Sequence, residues 1–313
     1  MPISDNNSTI SVHFVLVFAK VDDDFTCGSG NLTGMNTATA PATQLDLATP
    51  FALTPTQIAA FRRDGFIKPK EVLSSAALAH YGAEIRREVA ERSRDYKPLA
   101  ERDTYGKAFL QIGNLWAENA VIAEFVRSPR LGRIAAELIG TRGTRIYHDQ
   151  ALCKEAGGGF TPWHADQRYW PLTSDHSVTA WIPLQATPLE MGPLEFASGS
   201  HQLVTQKRDA LGMAISDESE IVIGRTLADC PKVVEPFDLG EVSFHLGWTF
   251  HRAGPNTTDT LRSVMTIIYI DSEMIVDEPR NENQGSDLKH WFPGLKPGDL
   301  AASPLNPVVW SRD

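Results

Sequence analysis

The stretch TRIYHDQALCK, Thr144 to Lys154, is where the hydropathy rhythm of the chain changes. From Gly143 onward apolar residues recur at every second position, the period of a strand whose faces differ. The alternation returns in SVTAWIPLQ, GPLEFAS, KVVEPFDL, GEVSFHLGWTFH and LRSVMTIIYI, short runs punctuated by Gly and Pro. Such spacing predicts an antiparallel sandwich or barrel.

Upstream of Gly143 the period is helical. Thr54 is placed to cap a helix with Pro55 at its first position, and Gly65 ends it before a short strand, Phe66–Lys68. Leu78, Tyr81, Ile85 and Val89 form one apolar stripe of a helix from about Ser75 to Ser93. Further helices are expected at Ala117–Phe125 and at Pro129–Ile139, the latter stopped by Gly140. Helices first and strands later give an α+β chain, its N-terminal helices supporting one face of a β core.

The 313 residues divide into a segment 1–48 and a single folded domain, 49–313. From Cys27 to Pro50 the composition is Gly, Ser, Thr, Asn and Ala with few large apolar side chains, which cannot bury a core. The apolar run within Ser11–Val21 is far short of the ~20 residues that span a bilayer. It lacks a basic leader and is followed by three aspartates, so a secretory signal is not expected. Met35 opens MNTATAPATQ and is a second candidate start, which would make residues 1–34 an extension. A net charge of −10 argues against nucleic acid and against anionic membranes. Three scattered cysteines form no CxxC, which fits a reducing cytoplasm, and Cys153 reads as a small core residue. No oligomeric state follows, and a homodimer is compatible with the chain. The longest break in the β region, Gln206–Cys230, reads equally as an active-site cover or a solvated insertion.

TPWHADQRYW, Thr161–Trp170, places His164 and Asp166 on one side of an extended segment. With 9 histidines and 39 acidic residues in the chain, about one such pair arises by chance. A third ligand is needed, and His251 supplies it at the end of a strand pattern before RAGPNTTD. Two histidines and one carboxylate make the facial triad of non-haem Fe(II) oxygenases. Arg262, eleven residues on, begins a very apolar strand. A guanidinium there is expensive unless an anion meets it, and its fork suits the distal carboxylate of 2-oxoglutarate. A strand–turn–strand unit would put His251 and Arg262 on neighbouring strands. His245 reads as structural, and His148 and His201 have no ligand role. Gln167, Arg168, Tyr169 and Trp170 are candidates for shaping a substrate pocket.

From Leu53 to Trp310 the chain resembles the phytanoyl-CoA dioxygenase-like Fe(II)/2-oxoglutarate oxygenases, bacterial natural-product tailoring members included. The motifs that carry the resemblance are LTPTQIAAFRRDGFIKPKEVLS, PWHADQRYWPL, VTAWIPLQ, MGPLEFASGSH, LGEVSFHLGWTFHRAGPNTTDTLR and the closing WFPGLKPGDLAASPLNPVVW. The resemblance implies a double-stranded β-helix, or jelly roll. It implies His164, Asp166 and His251 as iron ligands and as the catalytic centre. Arg262, Lys154 and Trp181 are implied near 2-oxoglutarate, and Gln150 shares the Lys154 face by parity. Lys154 and Gln150 could equally be polar strand residues facing solvent, and Trp181 a core aromatic. Where several members carry serine two residues after the distal histidine, this chain has Ala253.

The activity so implied is oxidation of an unactivated C–H bond of a small molecule by O2, with 2-oxoglutarate as co-substrate. Hydroxylation is the default and epimerisation or ring closure the variants, in the tailoring of a polyketide or its sugar. Asp166 leaves no place for the halide of halogenating relatives. The alternatives are an acyl-CoA hydroxylase of the same family, a non-oxidative metal-dependent isomerase on a jelly roll, and a decayed scaffold. The acidic balance offers acyl-CoA phosphates no basic patch. An isomerase would not need Arg262, and a scaffold should have lost at least one of the four residues.

Overall fold

A computed structural model describes residues 47–203 and 213–312. Of the segment 1–48, all but the last two residues lie outside the described residues, as does 206–212 of the long break. In chain order the elements are α1 (Pro55–Asp64), β1 (Phe66–Ile67), α2 (Ser75–Arg92), α3 (Thr104–Ala108), β2 (Leu110–Gly113), α4 (Leu115–Glu118), α5 (Ala120–Val126) and α6 (Pro129–Ile139). There follow β3 (Gly143–Lys154), β4 (Thr161–His164), β5 (Ser177–Pro183), β6 (Leu194–Ala197), α7 (Asp217–Thr226) and β7 (Lys232–Val234). The last are β8 (Ser243–Leu246), β9 (His251–Ala253), β10 (Arg262–Asp271), α8 (Glu282–Trp291) and β11 (Val308–Ser311).

The strands form two antiparallel sheets, the two halves of a jelly roll. The larger runs β1-β8-β5-β10-β3-β11, with β2 also on β3, and the smaller runs β4-β9-β6-β7. Parity assigns the two faces of the large sheet. Ala151, Cys153, Val178, Ala180, Ile182, Met265, Ile267 and Tyr269 pack with Tyr81, Ile85, Phe125 and Ile134 of the helices. On the other face Trp181 and Val264 meet Leu194, Phe196 and Ala253 of the small sheet. The helices therefore cover one face and the sheets enclose the other. Burial at ~25 cal/mol per Å² across both interfaces is the main stabilising term.

Local chemistry explains the boundaries. Thr54 caps α1 with a reciprocal box to Gln57, and Gly65 closes it at φ 86°. The helix expected at Ala117–Phe125 is two, because Asn119 adopts an extended backbone and its side chain accepts from the Val121 and Ile122 amides. It thus ends one helix and caps the next. The segment GEVSFHLGWTFH likewise splits, β8 joining the large sheet and β9 the small one. A register shift between Ile268 and Tyr269 leaves Tyr147 as an extra residue on β3 beside His148. Leu47, two residues before the expected domain 49–313, is buried, and its carbonyl accepts from Ser128 Oγ. Among the described residues no helix is long and apolar enough to cross a membrane.

Candidate metal centre

β4 ends on His164 and β9 begins on His251, and the two are register partners in the small sheet. Asp166 opens the 3-10 turn Asp166–Tyr169 directly after β4. Its Oδ1 lies 3.7 Å from Nε2 of each histidine. One donor atom from each of the three residues falls within 4.8 Å of the others. The rest of each imidazole is pinned to backbone. His164 Nδ1 is 2.7 Å from the Pro162 carbonyl and His251 Nδ1 is 2.9 Å from that of Thr249. A carbonyl only accepts, so Nδ1 carries the proton and each Nε2 lone pair points inward.

Burial lowers both imidazoles to about 4, helped by a neighbouring imidazole in each case, so both are neutral near pH 7, the form that can bind a metal ion. Burial pushes the Asp166 carboxyl up, but His251, His245 and His164 outweigh it and hold it well below the usual carboxylate range. Asp166 Oδ2 is occupied. It accepts from Thr179 Oγ1 at 2.8 Å and from His245 Nε2 at 3.3 Å. That clamp leaves Oδ1 as the carboxylate atom facing the two histidines. His245 is structural, as expected, but it acts on the triad itself. Thr179 was missed, although it shares strand parity with Trp181.

The second part of the site is a pair of buried basic side chains. Arg262 begins β10 and is the register partner of Lys154 at the end of β3, and both side chains are fully enclosed. His251 and Arg262 do not stand on neighbouring strands. β9 belongs to the small sheet and β10 to the large one, so the connecting turn crosses between sheets, and Ala253 and Val264, each two residues along from one of them, both pack between the sheets. Asn256 holds that turn, its amide donating to the carbonyls of Lys154, Glu155 and Thr260. Arg262 Nη1 donates to the Gly192 carbonyl, while its Nε is buried with no hydrogen-bond partner among the described residues. The Trp181 ring lies 5.5 Å from the guanidinium carbon. Lys154 Nζ donates to the Gly159 carbonyl. Burial lowers Arg262 to about 10, and burial and then Arg262 lower Lys154 to about 6.

Of the remaining candidates, Trp181 is a core aromatic that also lies beside the guanidinium. Gln150 is half-buried on β3, on the Lys154 side of the strand. Ala253 packs in the inter-sheet cluster with Trp181 and Val264. Gln167 is buried, bonded to Ser177 Oγ and the Ser174 carbonyl. Tyr169 is only partly exposed although enclosed, as is Tyr105 of α3, and the Asp166 charge raises both phenols further after burial has done so. His201 bonds the Arg62 carbonyl, away from the triad.

The described part of the long break is a helix, not a structureless insertion. Ser216 caps α7 through a box with Ser219. Glu220 Oε2 accepts from the Trp163 amide at 2.9 Å and Oε1 accepts from Arg252 Nη1 at 2.5 Å. α7 thus braces the residues next to both histidine ligands. Strand parity could not reveal it.

The model of the phytanoyl-CoA dioxygenase family matches residues 61–264, well over half of the chain. The ectoine dioxygenase of Bordetella bronchiseptica is 24% identical over 156 residues, 48% of this chain and 50% of that protein. The match therefore spans half the length of that curated relative. Among solved structures, the non-haem α-ketoglutarate-dependent carbocyclase SnoK from nogalamycin biosynthesis is similar with a TM-score of 0.66 and 24% identity, over 83% of this chain and 99% of that one. The epimerase SnoN from the same biosynthesis gives 0.65 and 24%, over 81% and 97%. Both likenesses show the jelly-roll fold.

Proposed function

The chain belongs to the phytanoyl-CoA dioxygenase family, and from that premise we propose that it is an Fe(II)/2-oxoglutarate-dependent oxygenase acting on a small organic molecule. The observation that carries this reading is the pairing of a candidate ligand triad with two enclosed basic side chains, Arg262 and Lys154, that have no carboxylate partner among the described residues. A triad alone serves hydrolytic and isomerising metal enzymes as well. Burying a guanidinium beside an amine costs several kcal/mol unless an anion arrives. A dianionic keto acid answers that cost, and its other end needs a metal.

His164, Asp166 and His251 would hold the iron, leaving one side of it open. Bound iron and 2-oxoglutarate together supply the oxidation of a substrate C–H bond by O2, the co-substrate leaving as succinate and CO2. The protein's own residues do the rest. Arg262 fixes the distal carboxylate, with Trp181 limiting the swing of the guanidinium. Lys154 adds the second positive charge once the anion is present. Thr179 and His245 keep Asp166 from rotating.

Tailoring of a secondary metabolite is the reading of substrate that we favour. The chain's acidic balance, a net charge of −10, speaks against an acyl-CoA, whose phosphates would favour a basic patch. Similarity in fold to an epimerase and a carbocyclase, and in sequence to an ectoine dioxygenase, leads us to include radical rearrangement beside hydroxylation. The test is succinate formation from 2-oxoglutarate under air with Fe(II), with and without candidate substrates. Wild-type protein should turn over slowly alone, and His164→Ala should not turn over at all. Full turnover by His164→Ala would sink the ligand assignment.

A further inference from the structure

Just before its metal-facing histidine, β4 carries one residue more than the strand it pairs with. Thr161 pairs with Ala253 and His164 with His251, so Pro162 and Trp163 stand opposite Arg252 alone. A bulge of this kind re-aims the side chain beside it, here the first histidine of the triad. It also leaves backbone groups outside the ladder that must find partners elsewhere. Pro162 has no N–H, and its carbonyl is the one that holds His164 Nδ1. The Trp163 amide donates to Glu220 Oε2 at 2.9 Å, and the Trp163 carbonyl accepts from Ser219 Oγ at 3.3 Å. Both of those partners come from α7.

The same carboxylate reaches the other histidine strand. Glu220 Oε1 accepts from Arg252 Nη1 at 2.5 Å, and Arg252 Nε donates to Glu195 of β6 at 2.8 Å. Alternation puts the ligands on one face of the small sheet and their neighbours on the other. His251 faces the large sheet, its ring centre 4.4 Å from that of His245 on β8. Trp163, Ala165 and Phe250 form one cluster instead with Ile223 and Leu227 of α7. The Arg252 guanidinium lies over the Trp163 ring, 5.0 Å from its centre. All four residues that flank the two histidines are therefore held from the α7 side.

A helix serving only as a cover would need no more than its apolar face. Glu220 does what an apolar side chain cannot, because its two oxygens tie the bulge of β4 to β9 at the level of the ligand pair. An amide has only one oxygen to offer, and a neutral acceptor makes the weaker bond. We propose that Glu220 is a positioning residue of the metal centre, fixing the separation and aim of His164 and His251 through Trp163 and Arg252. By linkage, a metal ion held by both histidines strengthens the docking of α7 in return. This inference rests on the metal-centre part of the oxygenase reading and adds a residue to that site.

The test titrates Co(II) anaerobically into metal-free protein, well below its melting temperature, and reads affinity from the visible absorption of the bound ion. Glu220→Ala should weaken Co(II) binding roughly tenfold, the lower end of what an outer partner contributes. Glu220→Gln is isosteric and keeps one acceptor, so it should fold as wild type does and recover part of the loss. Ile85→Val thins the helical layer on the far sheet, and should melt a few degrees lower with its Co(II) affinity unchanged. Hydrogen exchange of the α7 amides should slow on Co(II) loading in wild type and much less in Glu220→Ala. Wild-type affinity in Glu220→Ala, an equal loss in Ile85→Val, or α7 exchange indifferent to Co(II) would overturn the proposal. His164→Ala separates the two readings. If it binds Co(II) as tightly as wild type, the ligand assignment fails and the proposal with it. If it loses the ion while Glu220→Ala keeps full affinity, the proposal alone is overturned.

Discussion

Arg262 and Lys154 stand side by side as register partners on β10 and β3, two fully enclosed basic side chains with no carboxylate within ion-pair distance among the described residues. Few arrangements inside a sandwich are less stable without a ligand. The anion that fits is held by charge and by the guanidinium fork together. Arg262→Ala should therefore weaken 2-oxoglutarate binding by about 2–5 kcal/mol, roughly 30-fold or more. Iron binding should barely change. Calorimetry on the Fe(II)-loaded protein separates the two, and an unchanged 2-oxoglutarate affinity would remove Arg262 from the account.

Lys154 makes the site sensitive to pH in a defined direction. Its amine is lowered to about 6, so at pH 7.5 it is mostly uncharged until an anion arrives. Binding of 2-oxoglutarate should then take up close to one proton, measurable from binding enthalpies in buffers of different ionisation heat, and Lys154→Met should abolish the uptake. The same shift enters stability. Between pH 6 and the ordinary lysine value of 10.5, the unfolded chain holds a proton that the folded one lacks, so stability rises with pH across that window. Lys154→Met should melt higher than wild type at pH 7 without co-substrate, and the advantage should shrink towards pH 10.

The clamp on Asp166 gives a third expectation. His245 and Thr179 both donate to Oδ2 and leave Oδ1 to the metal. Outer partners of this kind are typically worth ~10–100-fold in metal affinity. His245→Ala should fall in that range in a competition titration with Co(II), and His245→Gln, which can still donate, should recover part of it. Wild-type affinity in His245→Ala would make the contact incidental.

Gly192 is required by both space and backbone. It sits at φ +65°, and a Cβ there would lie 2.1 Å from the Gly254 carbonyl oxygen. Its own carbonyl receives Arg262. Gly192→Ala should cost at least ~1–2 kcal/mol, seen as a melting temperature ~4 °C lower or more. It should also weaken 2-oxoglutarate binding, because relieving the clash moves the carbonyl that orients the guanidinium.

Much of this was legible in the chain. Period two from Gly143 gave the sandwich, and the caps at Thr54 and Gly65 and the pair Pro129 and Gly140 bounded helices where the structure has them. His164, Asp166, His251 and Arg262 could be picked out because ligand types and an apolar strand with one cation are local signals. What escaped was non-local. That β8 and β9 part into different sheets depends on the turn around Gly247, where a Cβ would strike Gln167, Ser177 and Trp170. The Asp166 clamp joins residues 79 positions apart. The bracing by Glu220 comes from a helix inside what reads as a loop.

The central claim is that one metal and one keto acid meet between the two sheets. The most direct measurement is an anaerobic titration of Fe(II) and then 2-oxoglutarate, watching for the weak visible charge-transfer band of a chelated 2-oxo acid. The band should appear at about one equivalent of each, vanish in Asp166→Ala, and require far more 2-oxoglutarate in Arg262→Ala. Iron demonstrably bound with no band at saturating 2-oxoglutarate would contradict the account.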